Sequence, residues 1–162
     1  MQKLILFLLF SLACLSIKAQ GCDNLLANID KGTLNGIKPN ASMAEVKIAF
    51  PCFTGETKEG ESFNYGGGVY FLNHDFFFYT YNDYLEIRKE YKGELSVPLL
   101  GKNKEEVKAL LGKPKFIINI FHLYKKSYGT LRIVYGPNNT VEELAMHSRK
   151  IKSVKKYCET AY

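Results

Sequence analysis

The side chains best suited to covalent, redox or metal chemistry in this 162-residue chain are Cys22, Cys52 and Cys158, with His74, His122 and His147. A fourth cysteine, Cys14, lies in an apolar leader. No two histidines stand at a His-x-x-x-His spacing, and neither Cys-x-x-Cys nor His-Glu-x-x-His occurs, so no metal site and no cofactor is expected. A thiolate nucleophile needs an adjacent base. Cys52 follows Pro51 at a predicted helix end and Cys158 lies near the end of the chain, neither with a local base, and there is no Gly-x-Ser-x-Gly elbow. Gly66-Gly67-Gly68 resembles a phosphate cradle only superficially. A phosphate loop runs through Gly-Lys-Ser/Thr into a helix, whereas these glycines enter the apolar segment Val69-Tyr70-Phe71-Leu72, as a turn or bulge does. Glu56, Glu59 and Glu61 lack the alternating Asp/Asn pattern and fixed glycine of a calcium loop. The enzymatic reading that survives is a small secreted hydrolase with its site near His74, Asp75 and the Gly66–Gly68 loop. His74 and Asp75 also fit a plain hairpin turn, and His122 falls in an apolar strand, where a core or edge role suffices.

The cysteines depend on the leader. Lys3, an uncharged apolar run from Leu4 to Ile17, and the exit Ser16-Ile17-Lys18-Ala19-Gln20 have the layout of a secretory signal peptide over residues 1–19. The run is short for a membrane-spanning helix, which needs about 20 apolar residues. The expected product is an exported protein, periplasmic or secreted, folding as one domain over residues 20–162. An odd set of thiols then meets an oxidising compartment. If Cys22 is lipidated, as the lipobox-like Ala19-Gln20-Gly21-Cys22 suggests, the protein is an outer-membrane lipoprotein and Cys52 is left to pair with Cys158. That bridge would close a loop of about 100 residues and contribute roughly 4–5 kcal/mol. If cleavage follows Ala19, the chain is soluble, and Cys22 pairs with Cys158 while Cys52 is buried. Ala19 and Gln20 are poor lipobox residues, which favours the soluble form.

The strongest candidate for binding is aromatic. Nine of the 22 Phe and Tyr residues fall between Tyr70 and Tyr91. In Asp75-Phe76-Phe77-Phe78-Tyr79-Thr80-Tyr81, alternation places Phe76 and Phe78 on one face and Phe77, Tyr79 and Tyr81 on the other. Packing against helices needs one face. The other, carrying Phe77, Tyr79, Tyr81 and Tyr84, would be open, and tyrosine suits interfaces because it joins apolar area to a hydrogen-bonding tip.

Charge excludes some partners. The chain carries a net +6, and two of its positive charges, Lys3 and Lys18, belong to the leader. Nucleic-acid binding calls for a larger and more concentrated surplus, and export is the wrong compartment for it. The basic run Arg149, Lys150, Lys152, Lys155 and Lys156 fits the polar face of a terminal helix docked by Ile151 and Val154. Membrane contact is expected only if Cys22 is lipidated.

The positioning elements repeat. Glu45-Val46-Lys47-Ile48-Ala49-Phe50-Pro51 aligns with Glu106-Val107-Lys108-Ala109-Leu110-Leu111-Gly112. Ser42 with Glu45 forms a capping box that predicts a helix from Met43 to Phe50, stopped by Pro51. A second is predicted from Lys104 to Leu111, ending at Gly112. A short helix fits Asp23 to Ile29 and a last one Arg149 to Tyr157. Period-two segments predict strands over 69–72, 75–81, 84–91, 115–124, 130–135 and 140–147, and Thr54 to Gly68 reads as a loop. The expected class is α+β: short helices packed on an antiparallel sheet, in two helix-then-hairpin halves near residues 33–93 and 97–148.

Lys104-x-Glu106-Val107-x-x-Leu110-Leu111-Gly112-x-Pro114, then Tyr128-Gly129-x-Leu131-x-Ile133-x-Tyr135 and a turn into Val141-x-x-Leu144, resembles the repeat of small exported bacterial proteins. These are the outer-membrane lipoproteins of the SmpA/OmlA type and the tandem β-lactamase-inhibitor proteins. The second half carries most of the likeness; the first matches in its helix and aromatic hairpin. The resemblance implies a non-catalytic module that binds another protein, in an inhibitor, immunity-like or envelope-assembly role.

Overall fold

A computed structural model describes residues 22–58 and 67–160. The segment expected to be a signal peptide, together with Glu59, Glu61 and Gly66, lies outside the described residues. The elements run β1 (Leu26–Asn28), β2 (Thr33–Leu34), α1 (Met43–Ala49), β3 (Gly55–Thr57), β4 (Gly68–Phe71) and β5 (Phe76–Tyr79). A 3-10 turn (Thr80–Asn82) follows, then β6 (Tyr84–Arg88), β7 (Glu94–Leu95), α2 (Lys104–Leu111), β8 (Phe116–Ile118), β9 (Phe121–Lys126), β10 (Gly129–Tyr135), β11 (Val141–His147) and α3 (Ile151–Thr160). The class is α+β, with helices on a mostly antiparallel sheet.

Both short helices start where their caps dictate. The Ser42 side chain accepts from the Glu45 N–H while the Glu45 carboxylate accepts from the Ser42 N–H; Asn103 and Glu106 repeat the arrangement at α2. Each box satisfies two N–H groups that the helix itself leaves unpaired. α2 stops at Gly112, whose φ of 77° is open to glycine and strained for other residues.

Eight strands form one sheet in the order β3-β4-β5-β6-β11-β10-β9-β8, every pairing antiparallel. Two meanders, β3 to β6 and β8 to β11, meet where their last strands pair, Leu144 opposite Ile87 and Met146 opposite Leu85. One face packs on α1, α2 and the N-terminal segment through Val46, Phe50, Val107, Leu25 and Leu34. Phe50 is fully buried and meets three rings of this face: Phe71 and Phe76 edge-on, Phe78 stacked. On the other face α3 lays Val154 and Cys158 against Phe121 and Leu123.

Several expected elements differ. Asp23 to Ile29 is not helical: β1 pairs antiparallel with β2 and parallel with β7 in a separate three-stranded sheet. Leu25, Ala27 and Ile29 are buried and Leu26 exposed, so the apolar residues follow a period of two. The segment 115–124 is broken into β8 and β9 at Asn119, whose φ is 51°. The strand expected over 75–81 stops at Tyr79, where the chain turns through Thr80–Asn82 into the left-handed Asp83. Part of the loop expected from Thr54 to Gly68 is strand, and Glu56 on β3 pairs with Lys47 of α1 at 2.6 Å.

Candidate functional site

The aromatic strand alternates as expected but does not present an open face. Phe76 and Phe78 pack toward the helices, fully buried, while Phe77 and Tyr79 point to the opposite side. There Phe77 and Tyr79 are each only 5% exposed and Tyr84 is 2% exposed. The Arg88 guanidinium lies 4.2 Å from the Phe77 ring centroid, and Tyr84 stacks between Tyr79 and His147 at 4.5 and 4.8 Å. Tyr70 closes the cluster. Tyr81, in the 3-10 turn, leaves the strand's alternation and is 58% exposed. Of Phe77, Tyr79, Tyr81 and Tyr84, only Tyr81 therefore offers a surface. Long neighbouring side chains cover a sheet face as effectively as a helix does.

The same face carries a charge cluster. Strand register aligns Leu123, Arg132, Ala145, Glu86, Phe77 and Tyr70 across six strands. Arg132 donates to Glu143 at 2.7 Å and lies 3.8 Å from Glu86, which pairs with Arg88 at 2.6 Å. Two acids and two bases leave the cluster formally neutral, as burial demands. Burial nonetheless pushes the Glu86 carboxyl up to about 7; Glu143 adds to the rise, and Arg88 and Arg132 oppose it. Burial, then Arg132 and Arg149, hold His147 well below the usual histidine range, so it stays a neutral ring. His147 borders a cavity of about 30 Å³ with Tyr84, Arg149 and Val154, room for about one water. None of these charged residues was expected at a site. Their signal is Glu86 and Arg132 standing at inward positions of otherwise apolar strands.

The cysteines pair differently from either expectation. Cys22 is bonded to Cys52, with Cα atoms 6.0 Å apart, and Cys158 is a free, buried thiol. Neither Cys52–Cys158 nor Cys22–Cys158 forms, because the sheet separates them. Cys22 and Cys52 pack beside the core on the α1 and α2 face, and Cys158 faces the other side from α3. Burial raises the Cys158 thiol pKa, the reverse of what a nucleophile needs. His74 adjoins the bonded pair: one of its ring nitrogens and the two sulfurs lie within 4.8 Å of one another. Sequence spacing hides this trio because its members come from three separated segments.

Asp75 and the glycines have structural tasks. The Asp75 carboxylate accepts from the Glu90 N–H at 2.9 Å. A Cβ on Gly68 would sit 2.6 Å from the Phe78 carbonyl oxygen, so glycine lets β4 approach β5. The basic run lies on and before α3 as expected: Val154 is buried, Arg149 binds the Tyr81 carbonyl and Asp83, and Lys155 pairs with Glu159.

An open groove of about 310 Å³ runs between α2 and the edge strand β8, lined by Lys104, Lys108, Lys113, Ile117, His122 and Tyr124. Glu105 and Pro114 complete the wall. Ile117 is 63% exposed on the last strand of the sheet. His122 packs on the Tyr135 ring at 4.6 Å, and burial, then Lys104, lowers its pKa.

No family model, curated protein or solved structure matches this chain. Among the described residues, no helix is long and apolar enough to cross a membrane.

Proposed function

We propose that this chain is an exported, non-catalytic protein-binding module whose contact surface is the β8 edge and the lysine groove beside it. One observation carries the reading: an exposed isoleucine on a sheet edge with no further strand among the described residues stands next to Lys104, Lys108 and Lys113. An extended peptide adds to such an edge through main-chain hydrogen bonds, and flanking charge selects it. Three lysines against one glutamate fit an acidic segment of a partner protein.

The likeness to the SmpA/OmlA lipoproteins and tandem β-lactamase-inhibitor proteins belongs to the same proposal. In this reading its two halves would be α1 with β3 to β6 and α2 with β8 to β11. The Cys22–Cys52 bond is compatible with an oxidising, exported location. The anchored alternative needs the Cys22 sulfur for its lipid thioether, and one sulfur cannot hold both. The disulfide therefore favours the unanchored form.

The test is a titration of extended acidic peptides, with basic and neutral counterparts, against the protein and its Lys104→Glu plus Lys108→Glu variant. Acidic peptides should bind preferentially, lose affinity with added salt, and lose it again in the variant. Equal binding of all three peptide classes, or no effect of charge reversal, overturns the proposal.

A further inference from the structure

We infer that, once the Cys22–Cys52 bond is reduced, Cys22, Cys52 and His74 form a three-ligand site for a borderline or soft metal ion such as zinc. The donor set is two thiolates and one imidazole, the combination such ions prefer over oxygen ligands. Its ligand atoms already lie within 4.8 Å of one another. Around one zinc ion the same atoms stand about 3.5–3.8 Å apart, so the two sulfurs, bonded in the oxidised form, must part by roughly 1.7 Å on loading.

His74 is the independent pointer. Its Nδ1 is buried with no hydrogen-bond partner among the described residues, a state that costs free energy unless something occupies the atom. The His74 backbone is held in place beside the pair. The His74 N–H donates to the Phe71 carbonyl at 3.0 Å, its carbonyl accepts from the Lys92 N–H at 3.4 Å, and the ring lies 6.4 Å from Phe76. Cys52 is fixed just beyond α1, and Cys22 packs on the same core. No other His, Cys, Asp or Glu among the described residues joins the cluster, so a fourth coordination position stays open to water or a ligand, as in reactive rather than purely structural zinc sites.

The disulfide and the loaded dithiolate are two states of one site. Opening takes two electrons and two protons, supplied by a dithiol that closes to its own disulfide. The metal ion then displaces both thiol protons, leaving two thiolates and a neutral imidazole as ligands. Exchange with an external disulfide, which is reduced to its two thiols as Cys22 and Cys52 close, re-forms the bond and expels the ion.

The test uses the Cys158→Ser protein, so that Cys22 and Cys52 supply every thiol of residues 20–162, titrated with zinc or cobalt(II) in oxidised and dithiol-reduced forms. Circular dichroism monitors the fold. The reduced protein should bind one ion, show thiolate-to-cobalt charge-transfer absorption and release protons, and the oxidised protein should bind none. His74→Gln should weaken binding by at least about tenfold, since even outer partners of metal ligands cost that much. Metal that restores structure lost on reduction also supports the site. No binding after reduction, binding to the oxidised form, or equal affinity in His74→Gln overturns it.

Discussion

Arg132 and Glu86 occupy the same cross-strand row with only Ala145 between them, and the alanine methyl leaves the space in which their charges meet at 3.8 Å. Replacing Arg132 by Met leaves Glu143 without its 2.7 Å partner and the buried Glu86 with Arg88 alone. The expected loss is about 3–5 kcal/mol of unfolding free energy, measured in urea. Arg132→Met combined with Glu86→Gln should lose less than the two single changes added, because the second removes the stranded charge.

Glu86 and His147 titrate in opposing directions. The Glu86 carboxyl is raised from an ordinary value near 4.5 to about 7, so the folded protein holds more protons than the unfolded chain in that window. Stability from this group therefore falls as pH rises from about 4.5 to 7, on the order of 1–3 kcal/mol. His147 is lowered from 6.5, so its contribution is present above that value and is lost as pH falls below it. Thermal melts should separate them. Glu86→Gln should leave stability rising with pH up to about 6.5, and His147→Gln should leave it falling over the Glu86 window. Parallel pH profiles in the two variants would contradict both assignments.

Intact mass of the mature protein should rise by two hydrogens on reduction, and peptide mapping should join Cys22 to Cys52. The bond spans a sequence separation of 30, for which the chain-entropy model gives roughly 3–4 kcal/mol. Cys52→Ser should lose about that much; Cys158→Ser, an isosteric change of a free thiol, should lose less. A lipid-sized mass on Cys22 would show instead that the anchored form is the real one.

Phe50→Ala should cost about 3–5 kcal/mol, because it empties the centre of a cluster formed by Phe71, Phe76 and Phe78. Phe50→Leu should cost less. Equilibrium denaturation of both variants orders the two losses.

What could be read in advance was local. Ser42 with Glu45, and Gly112 after Leu111, mark helix ends because capping is decided within four residues. The alternation of Phe76 to Tyr79 sorted faces correctly for the same reason. What lies over a face is not local: Arg88 reaching across Phe77, and Tyr84 stacking on His147, depend on register between distant strands. The cysteine pairing is not local either, since nothing in sequence says that the sheet stands between Cys52 and Cys158. The Asp23 to Ile29 segment fits a helix by sequence and contains a strand in the fold, because so short an apolar run fits either period.

The seam between β6 and β11 also bears on how the chain assembles. Within each meander every strand pairs with a neighbour in sequence, whereas Ile87 and Leu144 must find each other from opposite halves. Local pairs close at low entropic cost, and remote ones wait. The β6–β11 seam is therefore expected to form after the pairs within each meander. Truncations at Ile87 or Leu144 should slow refolding more than truncation at Val46, which speeds unfolding instead.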